Sequence, residues 1–173
     1  MTVLYLIVCG ARPAENTVKH ATDLVTRGWD TCVIATPEGA RFFDLDHAQT
    51  VTGHPVRAFY KDPNAEDVLP PADVLVIAPA TFNTINKWAA GISDTLALGL
   101  LNEVLGQGLP IIAAPWAKTT LRRHPAYPSS LSTLRRAGVG VVEGAGEAGE
   151  EFPWTRVLDE LARQAPPVSQ RGT

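Results

Sequence analysis

Residues Val76–Leu101 read "VIAPATFNTINKWAAGISDTLALGLL". The stretch opens as an apolar run, breaks at Pro79, passes a polar turn containing Thr81, Asn83 and Thr84, and continues as helical sequence. An apolar run without alternation is a strand covered on both faces, the pattern of a parallel sheet. Polar side chains between the end of such a strand and a helix stand where open α/β sheets bind ligands. They also stand where helix caps belong, and spacing alone does not separate the two readings.

Working outward, the same pattern recurs. Val3–Val8 is near-continuously apolar and ends at Cys9-Gly10; Cys32–Ala35, Val56–Tyr60, Val74–Ala78, Ile111–Ala114 and Val139–Val142 read as further strands. Helical spacing covers Pro13 to Arg27, with Gly28 as its stop, and Ser129 to Ala137, with Gly138 ending it. Pro37 in "TPEGARFFD" predicts a helix start capped by Thr36. Trp154–Arg163 reads as an amphipathic helix with Val157, Leu158 and Leu161 inward. "EGAGEAGEE" is too acidic and glycine-rich to pack and reads as a loop or flap. Alternating strands and helices predict an α/β chain with a Rossmann-like, doubly wound parallel sheet of about six strands in a single domain. That domain is expected over residues 1–165, with 166–173 as a flexible tail.

Composition narrows the function classes. The chain has 173 residues, enough for one domain with a full-sized core. A net charge of −3 gives no electrostatic case for nucleic acid. No apolar run is long enough to span a bilayer, and "MTVLYLIVCG" reads as a first strand rather than a signal peptide. The two cysteines, Cys9 and Cys32, lie in strand-like runs and suggest a reducing, cytoplasmic setting. No metal site is expected.

Right-handed crossovers bring the loops after the strands to one edge of the sheet. Three collect there: Gly10-Ala11-Arg12, Thr36-Pro37-Glu38 and Pro79 to Thr84. Helix N-termini hold phosphate with backbone N–H groups, Gly10 permits close approach, and Thr36, Thr81, Asn83 and Thr84 add donors and acceptors. The set suits a phosphorylated, flat, polar-edged ligand. Neither G-x-G-x-x-G nor a P-loop occurs, so a dinucleotide fold motif and a nucleoside-triphosphate site are not indicated.

The segment "APATFNTINKWAAGISDTL" resembles the flavin-binding segment of the flavin-dependent cysteine decarboxylases. That family includes phosphopantothenoylcysteine decarboxylase and the enzymes that decarboxylate C-terminal cysteines of lantibiotic precursors. The family pattern, P-[AS]-[ST]-A-N-T followed by a lysine and a G-I-[SC]-[DN] turn, is met by Pro79, Ala80, Thr81, Asn83, Thr84, Lys87, Gly91, Ile92, Ser93 and Asp94. Phe82 replaces the usual small residue. A weaker likeness covers nearly the whole chain. The resemblance implies non-covalent FMN. Its phosphate would lie near Gly10, Ala11 and Thr36, and its ring and ribityl chain near Ala80, Thr81, Asn83 and Thr84. It also implies a homotrimer, or a dodecamer of trimers, with FMN near a subunit interface.

The substrate half departs from the family. The family histidine before the fourth strand would fall near Ala65, where none stands. His54 is the nearest substitute as general base, with Glu66 and Asp67 as alternatives. The family's substrate-binding P-x-M-N-x-x-M becomes "PWAKTTL", which puts Lys118 in place of the asparagine. Lys118 with Arg122, Arg123 and His124 forms a basic run suited to an acidic substrate group, or merely solvated. The flap cysteine of the pantothenate enzymes is missing from "EGAGEAGEEF".

Two readings follow. One is a divergent flavin-dependent decarboxylase or oxidase acting on a small-molecule or peptide substrate, with His54 and Lys118 as candidate catalytic residues. The other is a non-catalytic flavin-binding subunit or regulator. A flavin prenyltransferase ranks below both, because the sequence offers no clear prenyl-phosphate site beyond the basic run.

Overall fold

Side-chain alternation along β1 (Val3–Val8) divides the interior of the protein in two. Val3, Tyr5 and Ile7 enter one apolar cluster; Leu4, Leu6 and Val8 enter another on the opposite face. The computed structural model describes residues 1–165, so the expected tail at 166–173 lies outside the described residues. β2 (Asp30–Ala35), β3 (Val74–Ala80), β4 (Ile111–Pro115) and β5 (Gly140–Val141) join β1 in one parallel sheet of order β2-β1-β3-β4-β5. β3 repeats the division: Leu75 and Ile77 face one way, Val74, Val76 and Ala78 the other. Each fully buried Leu or Ile contributes about 1.5–3 kcal/mol, so a strand that is apolar on both faces is worth most at the centre of the sheet.

Helices cover both faces. Ala21 and Leu24 of α1 (Thr17–Thr26) and Val157 and Leu161 of α7 (Trp154–Gln164) pack on one side. On the other lie α3 (Phe82–Ala89), α4 (Leu96–Gln107) and α6 (Ala126–Arg136), through Ile85, Trp88, Leu98, Leu101, Leu131 and Leu134. The short α2 (Leu45–Thr52) packs beside α1, and α5 (Thr119–Arg122) is a single turn after β4. The expected single-domain, doubly wound parallel sheet is what the chain forms.

Local expectations shift in three places. Val56–Tyr60 is not a full strand. Arg57 alone bridges Ile34, with Arg57 N–H donating to the Val33 carbonyl at 3.2 Å and Ala35 N–H to the Arg57 carbonyl at 2.8 Å. Pro55 lacks an N–H to extend the ladder, and Phe59 and Tyr60 turn outward. Pro37 opens a turn rather than a helix: the Thr36 hydroxyl accepts from Gly39 N–H at 3.0 Å, and α2 starts only at Leu45, where Asp44 accepts from His47 N–H. The helix read from Pro13 begins instead as a 3-10 turn, Arg12–Asn16, and becomes α-helical at Thr17.

Candidate functional site

The chain steps outward from β1 to β2 and then returns across β1 to β3. Loops leaving β1 and β3 therefore part in opposite directions, and the crevice between their ends is where this topology admits a ligand. The ends are held in place by the backbone: Cys9 N–H donates to the Pro79 carbonyl at 3.1 Å, Thr36 N–H to the Val8 carbonyl at 2.9 Å and Trp116 N–H to the Ala80 carbonyl at 2.8 Å. The first two expected loops interlock. A Cβ on Gly10 would stand 2.7 Å from the Glu38 Cβ, and one on Gly39 would stand 2.2 Å from the Val8 carbonyl oxygen. Gly10 is thus required by the neighbouring loop, whether or not a ligand approaches it.

At the end of β3, Thr81 caps α3: its hydroxyl accepts from Thr84 N–H at 3.3 Å and donates to the Thr84 hydroxyl oxygen at 3.1 Å. Thr84 is buried, and its hydroxyl oxygen also accepts from the Cys9 thiol at 3.4 Å. Burial pushes the Cys9 thiol up, against its hydrogen bonds with Thr84 and Thr81, so it stays a neutral donor and not a thiolate nucleophile. The capping reading therefore holds for Thr81 and describes Thr84 as an internal link. It does not describe Asn83, which is exposed one residue into α3. Ala80 is fully buried with its carbonyl engaged by Trp116, so its side chain presents nothing to a ligand. Phe82 is half-buried, with its ring stacked on Tyr127 (centroids 6.1 Å, 18°) and edge-on to His124 (5.7 Å, 83°).

Lys118 lies at the same edge, exposed, between β4 and α5. Its neighbour Thr119 donates its N–H to Glu147 at 2.6 Å, and the Thr119 side chain first, with this N–H next, holds the Glu147 carboxyl below the usual range. The glycine-rich segment is thus pinned rather than loose: Arg122 also donates to the Ala145 carbonyl at 2.9 Å. Gly146 takes a positive φ of 77° and lies so close to Ala117 that a Cβ would meet its carbonyl oxygen at 2.1 Å.

His54 is not brought to this edge. Its Nε2 lies 2.6 Å from an Asp30 carboxylate oxygen at the first residue of β2, at the opposite end of a strand about 20 Å long. The structure thus sets His54 apart from the crevice, because β2 carries its partner away from the strand ends. Asp67 pairs with Lys61 at 2.8 Å on an exposed loop. The histidine that does reach the edge is His124, whose Nδ1 accepts from Ala126 N–H at 3.2 Å and whose ring meets Phe82. The sequence reading placed it only in a basic run.

A second group escaped the sequence. His20 of α1 is buried with its ring stacked on Trp154 (4.0 Å, 13°) and Phe152 (5.9 Å, 29°), and Phe152 meets Trp116 edge-on at 5.5 Å. Burial foremost, and Lys19 next, push the His20 ring down to about 4. These residues stand far apart in the chain, so no motif spacing signals them. Among the described residues, no group of three or more His, Cys, Asp and Glu is placed to hold a metal.

The Flavoprotein family model matches residues 2–165. The chain is 27% identical over 152 residues to the coenzyme A biosynthesis bifunctional protein CoaBC of Thermococcus kodakarensis, covering 85% of this chain and 38% of that protein. It is 42% identical over 77 residues to a cysteine/cysteine sulfinic acid decarboxylase of an unknown prokaryotic organism, covering 44% of this chain and 21% of that protein. The chain thus spans well under half the length of these relatives. Among solved structures, the FMN-dependent cysteine decarboxylase TvaF from thioviridamide biosynthesis superposes with a TM-score of 0.80 at 22% identity, over 96% of this chain and 99% of that one. At that identity, the likeness speaks for the fold.

Proposed function

Because the chain belongs to the Flavoprotein family, we propose that it binds FMN in the crevice between the ends of β1 and β3. We propose further that it is a divergent flavin-dependent decarboxylase or oxidase of a small or peptidyl substrate. The observation that carries the reading is the β3–α3 turn: a capped helix start, exposed Asn83 and a buried Thr84 locked to Cys9, all at the switch point of a β2-β1-β3-β4-β5 sheet. The donor set fits a flavin mononucleotide. The Asn83 amide offers both a donor and an acceptor, as the polar edge of the ring system requires. The start of α3 presents the backbone N–H groups of a helix N-terminus, of the kind that hold an anion without a cation, whereas in the interlocked loops Thr36 N–H is taken by the Val8 carbonyl and Gly39 N–H by the Thr36 hydroxyl. Ala11 would border the phosphate without donating its N–H, which the Cys9 carbonyl holds at 2.9 Å. When bound, FMN would supply the two-electron acceptor that no side chain of the chain provides. The protein's own contribution is to fix the ring between the strand ends and to hold the substrate. Lys118 stands at that edge as a positive charge for an acidic substrate group, and His124 stands beside Phe82 as the group able to move a proton.

The named activities of the cysteine/cysteine sulfinic acid decarboxylase and of TvaF support decarboxylase-like chemistry on a cysteine-bearing substrate. A cytoplasmic homotrimer, or a dodecamer of trimers, is part of the same reading. The displaced His54 favours a second one, a flavin-binding subunit without decarboxylation. Anaerobic addition of thiols and C-terminal cysteine peptides to the purified protein separates the two. Bleaching of the flavin band with release of CO2 establishes the enzyme. A yellow protein that no thiol bleaches points to the second reading or to a substrate of another class, and a colourless one that takes up no FMN removes both.

A further inference from the structure

Three guanidinium groups and one carboxylate line a surface cleft of about 380 Å³ between α5, α6 and the segment after β5. Arg122 and Arg123 come from the turn after β4, Arg135 from the last turn of α6, and Glu143 from the residue after Val142. Arg135 bonds one Glu143 oxygen, and Arg122 lies 3.8 Å from the other. A solvated basic run would splay its charges apart; here residues thirteen positions apart in sequence converge on a single carboxylate. The wall is fixed rather than mobile. Arg122 is tied to the Ala145 carbonyl at 2.9 Å, and Tyr127 is only 4% exposed. Burial foremost, and then the Glu143 charge, push the Tyr127 phenol up to about 12, so it keeps its proton and remains a donor. The cleft adjoins the candidate flavin crevice, because Tyr127 stacks on Phe82, the residue after the Thr81 cap.

We propose that Arg122, Arg123 and Arg135 form a receptor for an anionic group of the substrate, a carboxylate or a phosphate monoester, and that Glu143 occupies it as the chain's own competing carboxylate. Planar guanidinium forks match both kinds of oxyanion, and three of them against one carboxylate leave a surplus of positive charge for an incoming anion. Glu143 holds the forks in place until that anion displaces it. Identifying the anion as part of the substrate rests on the proposed flavoenzyme function; the receptor itself does not.

Titration calorimetry on the full chain supplemented with FMN, at fixed ionic strength, tests this with inorganic phosphate in one arm and acetate in the other. The wild-type protein is expected to bind at least one probe, and the arm that responds names the oxyanion. Glu143→Gln removes the internal competitor and is expected to tighten binding roughly fivefold, whereas Arg123→Gln loosens it roughly fivefold, the size of a partly exposed charge pair. Opposite signs are the signature. Two variants that shift the same way, or no binding by either the wild type or Glu143→Gln, overturn the receptor. Flavin colour of the same proteins, read after free FMN is removed by gel filtration, separates the failures. A colourless protein with opposite-signed shifts keeps the receptor and loses the flavin, and a yellow protein without binding does the reverse.

Discussion

At the scale of single residues, the β3–α3 turn divides its work between architecture and recognition, and the two can be separated by mutation. Thr84 is buried and its hydroxyl oxygen receives bonds from both Cys9 and Thr81. Thr84→Val keeps the shape but leaves those two donors without their acceptor, so stability measured by denaturant unfolding should fall by about 1–2 kcal/mol. Asn83 is exposed, and Asn83→Ala should leave unfolding within about 0.5 kcal/mol of the wild type. Its FMN retention, measured by fluorescence on dilution, should fall tenfold or more. If Asn83→Ala keeps its flavin affinity, the turn is a cap and nothing else. The sequence alone left cap and ligand site as equal readings because both call for the same small polar residues at the same place; burial is what sorts Thr84 from Asn83.

Between elements, the contact of α1 with the start of α7 carries a pH dependence. His20 is buried against Trp154, whose indole N–H donates to Asp23 of the same α1 at 3.0 Å. With its value lowered from 6.5 to about 4, the folded protein keeps His20 neutral while the unfolded chain takes up a proton. Between those two values the unfolded state binds more protons, so stability falls as pH drops through the window and levels off above and below it. The loss attributable to this ring is on the order of 3 kcal/mol. Denaturant unfolding at pH 7.5 and pH 4.5 should show that loss in the wild type, and a loss smaller by that amount in His20→Phe. Equal losses in both proteins would assign the pH dependence to the carboxylates. Elements differ in how far the sequence announces them, and this contact belongs to the silent kind. Val3–Val8 and Val74–Ala78 were legible because a strand covered on both faces must be apolar throughout, and α7 because its inward residues repeat at helical spacing. Val56–Tyr60 misled because an edge segment and a loop share the same mixed composition, and only Arg57 finds a partner. The stacking of His20 on Trp154 depends on crossovers that bring distant segments together, and no local pattern encodes it.

At the scale of the whole molecule, an apolar surface stands exposed beside α4. Phe59, Tyr60 and Ile92 are 68%, 55% and 43% exposed. Tyr60 ties them into one patch: its hydroxyl donates to the Ser93 carbonyl at 3.1 Å, and it lies so close to Gly99 of α4 that a Cβ there would approach the hydroxyl oxygen to 2.3 Å. Half-buried Leu96 and Leu100 belong to the same helix. Among the described residues no helix is long and apolar enough to cross a membrane, so this apolar surface is not part of a spanning helix. Aromatic and aliphatic side chains gathered on an exposed face mark protein contacts. With the proposed trimer, the natural occupant is a second copy of the chain. Light scattering should then give three times the 18.5 kDa of one chain, or a multiple of that for a higher assembly. Phe59→Glu with Ile92→Glu should reduce the mass to that of a single chain with helix content unchanged, since both positions are exposed. Because the reading puts FMN near a subunit interface, the same double variant should also hold FMN more weakly, without any change at Asn83 or Thr81. A single-chain mass for the wild type removes the trimer. A trimer that survives both glutamates moves the contact to another face and frees this one for the substrate or another protein.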